Sequence, residues 1–211
     1  ILIGSVFFTR FLALSGLPAA FSDSILSVSS EPWWIFLAVT VIYVVLGMLI
    51  DLTTKSLVFR WLGYTTGNSK TLIPGFLDFR CATNSGGVFG ILQGNGIIFV
   101  PLSFLALGVV YWFYIQIRRH AFRVVMPLGM ISAGTLGNLY DRLVHGAVRD
   151  FIDVHAGRHY WPTFNVADSL ICTGSALLIL FMLTNPEAFR NVGGEKTDEG
   201  KAQENNETIG K

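Results

Sequence analysis

Charge is what this 211-residue chain has least of. Only 14% of its residues are charged while 52% are hydrophobic, and a soluble domain carries about 25% charged residues. Residues 187–211 alone hold ten of the 29 charged side chains, which leaves 19 among the first 186. A surface so apolar does not keep a folded domain in water, and an ordinary cytosolic enzyme is excluded. A net charge of +1 supplies no basic field, so nucleic acid is excluded as a partner. Two cysteines, Cys81 and Cys172, are too few for a disulfide framework or a thiolate metal site. No serine sits in a nucleophile elbow and no Ser–Lys pair stands out. His145, His155 and His159 match no zinc spacing. There is no internal repeat of the kind that duplicated transporters carry, and the length allows one domain.

What the chain does have is long apolar runs. About 20 such residues cross a bilayer core of ~30 Å, and four stretches qualify or come close: 33–50, 96–117, 124–140 and 166–185. Gly129, Gly134, Gly137 and Gly174 lie inside them, where small residues let membrane helices approach. Trp33, Trp34, Tyr111, Trp112, Tyr160 and Trp161 fall at or near span ends, as an aromatic belt requires. Arg118, Arg119 and Arg123, with no acid between them, place the second connection in the cytoplasm. Both termini of a four-span chain are then inside, and residues 51–95 and 141–163 are outside. Residues 1–32 read as an N-terminal extension, interfacial or poorly ordered, with a signal remnant or a fifth span as alternatives. Residues 186–211 read as a disordered, charged cytoplasmic tail. In 70–95, Pro74-Gly75, Gly86-Gly87, Gly90 and Gly94 interrupt the apolar residues, which favours short strands and tight turns.

The few polar groups gather at the outer ends of the spans, where an ionisable side chain is costly and needs a partner. Asp51 and Lys55 share a helical face at spacing i, i+4, and an interfacial ion pair that ends the span explains them. Gly134, Asn138 and Asp141 form one stripe, read as a helix contact finished by an Asp141–Arg142 network. Asp168 follows Asn165 by three residues, as in a capping box, and Asp150 reads equally as an exposed loop acid. Two carboxylates in a low-dielectric cleft also have a chemical use: one activates water while the other protonates a carbonyl.

Taken in order, these clusters resemble the bacterial lipoprotein signal peptidase (signal peptidase II) family. The resemblance spans roughly residues 33–185. It rests on Asp51-Leu-Thr-Thr-Lys55, Asn84-Ser-Gly86-Gly-Val-Phe89-Gly90, Gly137-Asn138-Leu-Tyr-Asp141-Arg142, Val148-Arg149-Asp150-Phe151 and Phe164-Asn165-Val-Ala-Asp168. It implies an all-α membrane protein of four transmembrane helices, with a small extracytoplasmic β element and a short outer helix. It implies an aspartic endopeptidase with Asp150 and Asp168 as catalytic dyad. Asn84, Gly86, Asn138, Asp141, Arg142 and Asn165 would shape the site, with Asp51 and Lys55 in support. The expected substrate is a diacylglyceryl-modified prolipoprotein in the bacterial inner membrane, cut just before its lipidated cysteine at the extracytoplasmic face. Membrane lipid is the expected surrounding, the chain is expected to be a monomer, and neither metal nor organic cofactor is expected. Arg149 departs from the pattern, standing where an apolar residue is common; it either biases Asp150 or faces solvent. Two other readings fit the same residues: a proton-coupled transporter using the aspartates as a relay, and an assembly protein in which Asp141, Arg142 and Asp168 only tie helices together.

Overall fold

The computed structural model describes residues 32–87, 93–116 and 121–186. The expectations for the N-terminal extension and the charged tail lie outside the described residues, as do Val88, Phe89, Gly90 and Arg118, Arg119 and His120 of the basic connection. Two compact units divide after Val39. Of the first, only the opening turns of a helix are described; the sheet and the clustered polar residues belong to the second.

Among the described residues there are four long helices: α1 (Pro32–Leu62), α2 (Phe99–Gln116), entered through a 3-10 turn at Gly96–Ile98, α3 (Ala121–His145) and α4 (Val166–Thr184). Stretches 37–62, 96–115 and 166–184 are long and apolar enough to cross a membrane. α3 matches them in length but carries a buried polar stripe of Ser132, Thr135, Asn138 and Asp141. Burial is inverted relative to a soluble protein: Leu46, Leu49, Leu105 and Leu180 are exposed, while Asp51, Lys55 and Asp141 are 0% accessible. That distribution suits a solvent of hydrocarbon, with ionisable groups turned inward onto one another.

The first span was expected to stop at Ile50, yet α1 continues twelve residues further, to Leu62. Asp51 and Lys55 point into the protein, so they do not end the helix. Its end is set by Gly63 at φ 82°, where the Tyr64 amide reaches the Phe59 carbonyl at 2.8 Å and Gly63 that of Arg60 at 3.3 Å. These are the two bonds of a Schellman cap. The Asn68 side chain takes up the Leu62 carbonyl at 2.7 Å.

The last turns of α1 serve as a pedestal for the sheet. Its strands β1 (Ser69–Ile73), β2 (Leu77–Asn84), β3 (Val148–Ala156) and β4 (His159–Tyr160) lie in that order, every pairing antiparallel. Val58 and Phe59 of α1 pack with Cys81 and Phe151 from the two central strands, and the Phe79 and Phe151 rings meet edge-on at 5.5 Å. An expected all-α protein with a minor β element thus has a four-stranded sheet, built from residues far apart in the chain. Among the described residues, 146–165 forms strands and turns, so the short outer helix has no counterpart there.

Small residues bring the helices together. A methyl at Gly134 would strike the Ala167 carbonyl of α4, one at Gly137 the Asp51 carboxylate, and one at Gly174 the Pro127 carbonyl at 2.8 Å. Beside these contacts, α2, α3 and α4 border an open apolar cavity of about 360 Å³ lined by Leu102, Leu105, Val109, Phe113, Leu128 and Leu178. Gly134→Ala forces backbone against backbone and is expected to cost about 1–3 kcal/mol, read as a lower melting temperature in detergent. Gly108→Ala in α2, where nothing lies within 4 Å, is expected to cost nothing. Equal melting temperatures for the two variants would refute this account of the helix contact.

Candidate active site

The site begins about two to three turns before the end of α1. Lys55 Nζ lies 2.7 Å from Asp51 Oδ2, 3.2 Å from Asp141 Oδ2 and 3.0 Å from Asn138 Oδ1, so one ammonium donates to two helices. A carboxylate pair on one cation is tolerable in a dry interior only if the remaining lone pairs are filled, and here they are. Asp51 Oδ1 accepts the Ala167 amide at 2.8 Å, which pins the first turn of α4 to α1. Asp141 accepts the Arg149 backbone amide at 3.0 Å and its guanidinium at 3.1 and 2.7 Å.

Two strand–loop bonds deliver the next carboxylate. The Phe151 and Ile152 amides both donate to the Phe164 carbonyl, at 3.0 and 2.8 Å, and the Phe164 amide returns to Ile152 at 3.0 Å. This clamp sets β3 beside the residues that open α4, so Asp150 and Asn165 face each other. Asn165 Nδ2 donates to Asp150 Oδ1 at 2.6 Å and to Asn138 Oδ1 at 3.2 Å, and Asn138 Nδ2 donates to Asp168 Oδ1 at 2.8 Å. Asp150 and Asp168 are thereby spanned by a ladder of two amides. Asp150 is 3% accessible, which overturns the exposed-loop reading.

The capping box expected at α4 is present as well. The Asp168 amide donates to Asn165 Oδ1 at 2.9 Å, and Asp168 Oδ2 accepts the Asn165 amide at 3.2 Å. One oxygen of Asp168 caps the helix and the other faces Asn138, so the structural and the chemical reading of this residue coexist. The site's other wall is the turn after β2. Asn84 Oδ1 holds the Gly86 amide at 2.9 Å, its side chain also hydrogen-bonds Asp150, and Arg142 donates to the Gly86 carbonyl at 3.2 Å while lying over the Phe99 ring at 5.1 Å. All ten singled-out residues therefore converge on one region. Sequence reasoning left the orientation of Arg149 open. It is buried, and the signal that would have found it is Asp141, an acid eight residues earlier in need of a second partner.

Electrostatics mark out Asp150. Burial, then the neighbouring Asp168 charge, pushes the Asp150 carboxyl up to about 7, against the pull of hydrogen bonds from Asn165 and Asn84 and of the Lys55 charge. A carboxyl raised to about 7 can both hold and release a proton near neutral pH. Among the described residues no group of three or more His, Cys, Asp or Glu side chains is placed to hold a metal ion.

Residues 43–184 match the family model described as signal peptidase (SPase) II. Similar curated proteins include the lipoprotein signal peptidase of Syntrophus aciditrophicus (strain SB), 36% identical over 145 residues, covering 65% of this chain and 88% of that one. That of Aquifex aeolicus (strain VF5) is 36% identical over 166 residues, covering 75% and 92%. Among solved structures, a bacterial membrane enzyme determined by the in meso method at 2.3 Å resolution superposes with a TM-score of 0.65 at 29% identity, covering 74% of this chain and 94% of that one.

The raised Asp150 carboxyl makes stability depend on pH in a defined sense. The ordinary value is 3.8 and the folded one about 7, so between them the native state holds a proton that the unfolded chain has released. Stability from this group is present at low pH and is lost as pH rises through about 7. Melting temperatures of wild type and Asp150→Asn, followed from pH 4 to 8, are expected to diverge in the variant's favour as pH rises. A constant difference across that range would refute the assignment.

Proposed function

The chain belongs to the signal peptidase II family, and from that membership we propose that it is an intramembrane aspartic endopeptidase with Asp150 and Asp168 as its catalytic pair. The observation that carries the reading is the convergence of a strand carboxylate and a helix-cap carboxylate on one ladder of amides, with one of the two poised near pH 7.

In this mechanism a water lies between the carboxylates. Asp168 takes a proton from it as its oxygen adds to the scissile carbonyl carbon, and Asp150 gives its proton to the carbonyl oxygen. The tetrahedral diol then collapses: the carbon–nitrogen bond breaks, the proton held by Asp168 goes to the leaving amine, and one diol hydroxyl returns its proton to Asp150 as the new carbonyl forms. No nucleophilic side chain is consumed. Asn84, Asn138 and Asn165 hold the carboxylates apart and oriented, Gly86 and Arg142 form the wall toward the sheet, and Asp51, Lys55 and Asp141 hold the helices that carry them.

The substrate is a prolipoprotein, and the bond cut is the one before its diacylglyceryl cysteine. All four long helices cross the bacterial inner membrane, and the sheet and the dyad face the extracytoplasmic side. A lipid-anchored substrate arrives by lateral diffusion. The apolar cavity among α2, α3 and α4 offers its acyl chain a seat, while the peptide remains at the wet interface. The reading as a relay for transported protons has less support, because Asp150 stands on a strand outside the helices.

Asp150→Asn and Asp168→Asn are each expected to lower cleavage of a diacylglyceryl peptide by about 1000-fold or more, in protein that still inserts and melts cooperatively. Near-normal turnover by either variant in lipid would sink the dyad, and loss of folding without a separable loss of turnover would favour the assembly reading. Asp153 is buried on the same strand and paired with Arg80 at 3.0 Å. Asp153→Asn is expected to cost about 1 kcal/mol of stability and leave turnover within a few-fold, and inactivity there would show that the wrong acid of β3 had been chosen.

A further inference from the structure

Arg149 is neither in reach of solvent nor part of the amide ladder. At 8% accessibility its guanidinium binds Asp141 through Nε and Nη2, at 3.1 and 2.7 Å, and its Nη1 lies 3.4 Å from Ser56 Oγ on α1. The backbone amide of the same residue donates to the other oxygen of Asp141 at 3.0 Å. One carboxylate thus grips both the side chain and the main chain of the residue preceding Asp150. Such planar, two-point recognition is what a guanidinium does and an ammonium does not.

The charge balance shows what the grip accomplishes. Asp51 and Asp141 are both buried and both contact Lys55. With Arg149 present, two carboxylates meet two cations. Without it, one ammonium would serve both, and Asp141 would draw the Lys55 charge away from its other neighbours. Asp150 is within reach of that charge. Asp150 is faced by Lys55 from α1, Asn84 from the end of β2, Arg142 from α3, and Asn165 and Asp168 from the opening of α4.

We propose that Arg149 is a positioning residue for the dyad, neutralising Asp141 so that Lys55, which contacts Asp51, Asn138 and Asp141, is not drawn further toward Asp141 and away from Asp150, and fixing through its own amide the place at which β3 presents Asp150. The inference rests on the assignment of Asp150 and Asp168 as the catalytic pair. Arg149 touches no substrate, so its removal changes kcat and the pH dependence while KM stays put.

The test is the pH–rate profile of the full chain in lipid, with a diacylglyceryl peptide as probe. Wild type is expected to lose activity as pH rises through about 7, where Asp150 releases its proton. In Arg149→Met, Lys55 is shared and favours the Asp150 anion less, so this upper limb is expected to move to higher pH by roughly one unit, with kcat lower and KM unchanged. Arg149→Lys keeps the charge and is expected to return the limb to its wild-type place. A limb unmoved in the Met variant, or moved equally in the Lys variant, overturns the proposal. If the Met variant does not fold, Asp141→Asn probes the same balance from the opposite side: its limb is expected to shift to lower pH, and a limb that stays or rises overturns the proposal. Full activity in Asp150→Asn, or a wild type without an upper limb, would instead remove the dyad itself.

Discussion

Everything at the sheet end of this bundle depends on Lys55 being buried. An ammonium with no access to solvent must find oxygen acceptors from within the protein, and the three it finds come from two helices: Asp51 on its own, Asn138 and Asp141 on α3. Asp51 in turn takes the amide of Ala167, so the charge that would be expensive in hydrocarbon becomes the fastener between α1, α3 and the start of α4. Hydrophobic burial cannot do this in a bilayer, because lipid tails are as apolar as leucine. The glycines of α3 are the geometric condition for it, since the Asp51 carboxylate occupies the place a side chain at Gly137 would fill.

The same fastening explains why the two aspartates of the proposed site lie where they do. Once α1, α3 and α4 are locked, the clamp between β3 and Phe164 leaves Asp150 little choice but to face Asn165. Two asparagines, neutral and able both to donate and to accept, then separate the aspartates without cancelling their charge. Cations at those positions would have favoured the ionised form of both carboxyls.

Much of this was legible in the sequence, for identifiable reasons. The helices announced themselves because uncharged stretches of membrane length are scarce by chance, and the capping box at Asn165–Asp168 is a local pattern that needs no tertiary knowledge. The stripe of Gly134, Asn138 and Asp141 followed from helical periodicity alone. What escaped was set by contacts distant in the chain. Ile50 looked like a span end because Asp51 follows it, and only the partner on α3 shows that the helix runs on. Asp150 looked like a loop acid because its burial comes from β2 and from Asn165, neither adjacent to it. Arg149 was ambiguous for the same reason, its partner being an acid on the preceding helix. Where an ionisable residue sits next to apolar ones, sequence reveals the cost of burying it but not the group that offsets that cost.

Asp168 has two employments, as cap of α4 and as neighbour of Asn138. Helix termini are where fraying begins, and here the terminus carries the carboxylate itself. Warming that opens the first turn of α4 would release Asp168 from Asn165 and Asn138 together, while the rest of the bundle stays packed. The fraction of molecules with an assembled site would then shrink before any unfolding is visible, and the temperature at which the protein stops working would lie below the temperature at which it melts.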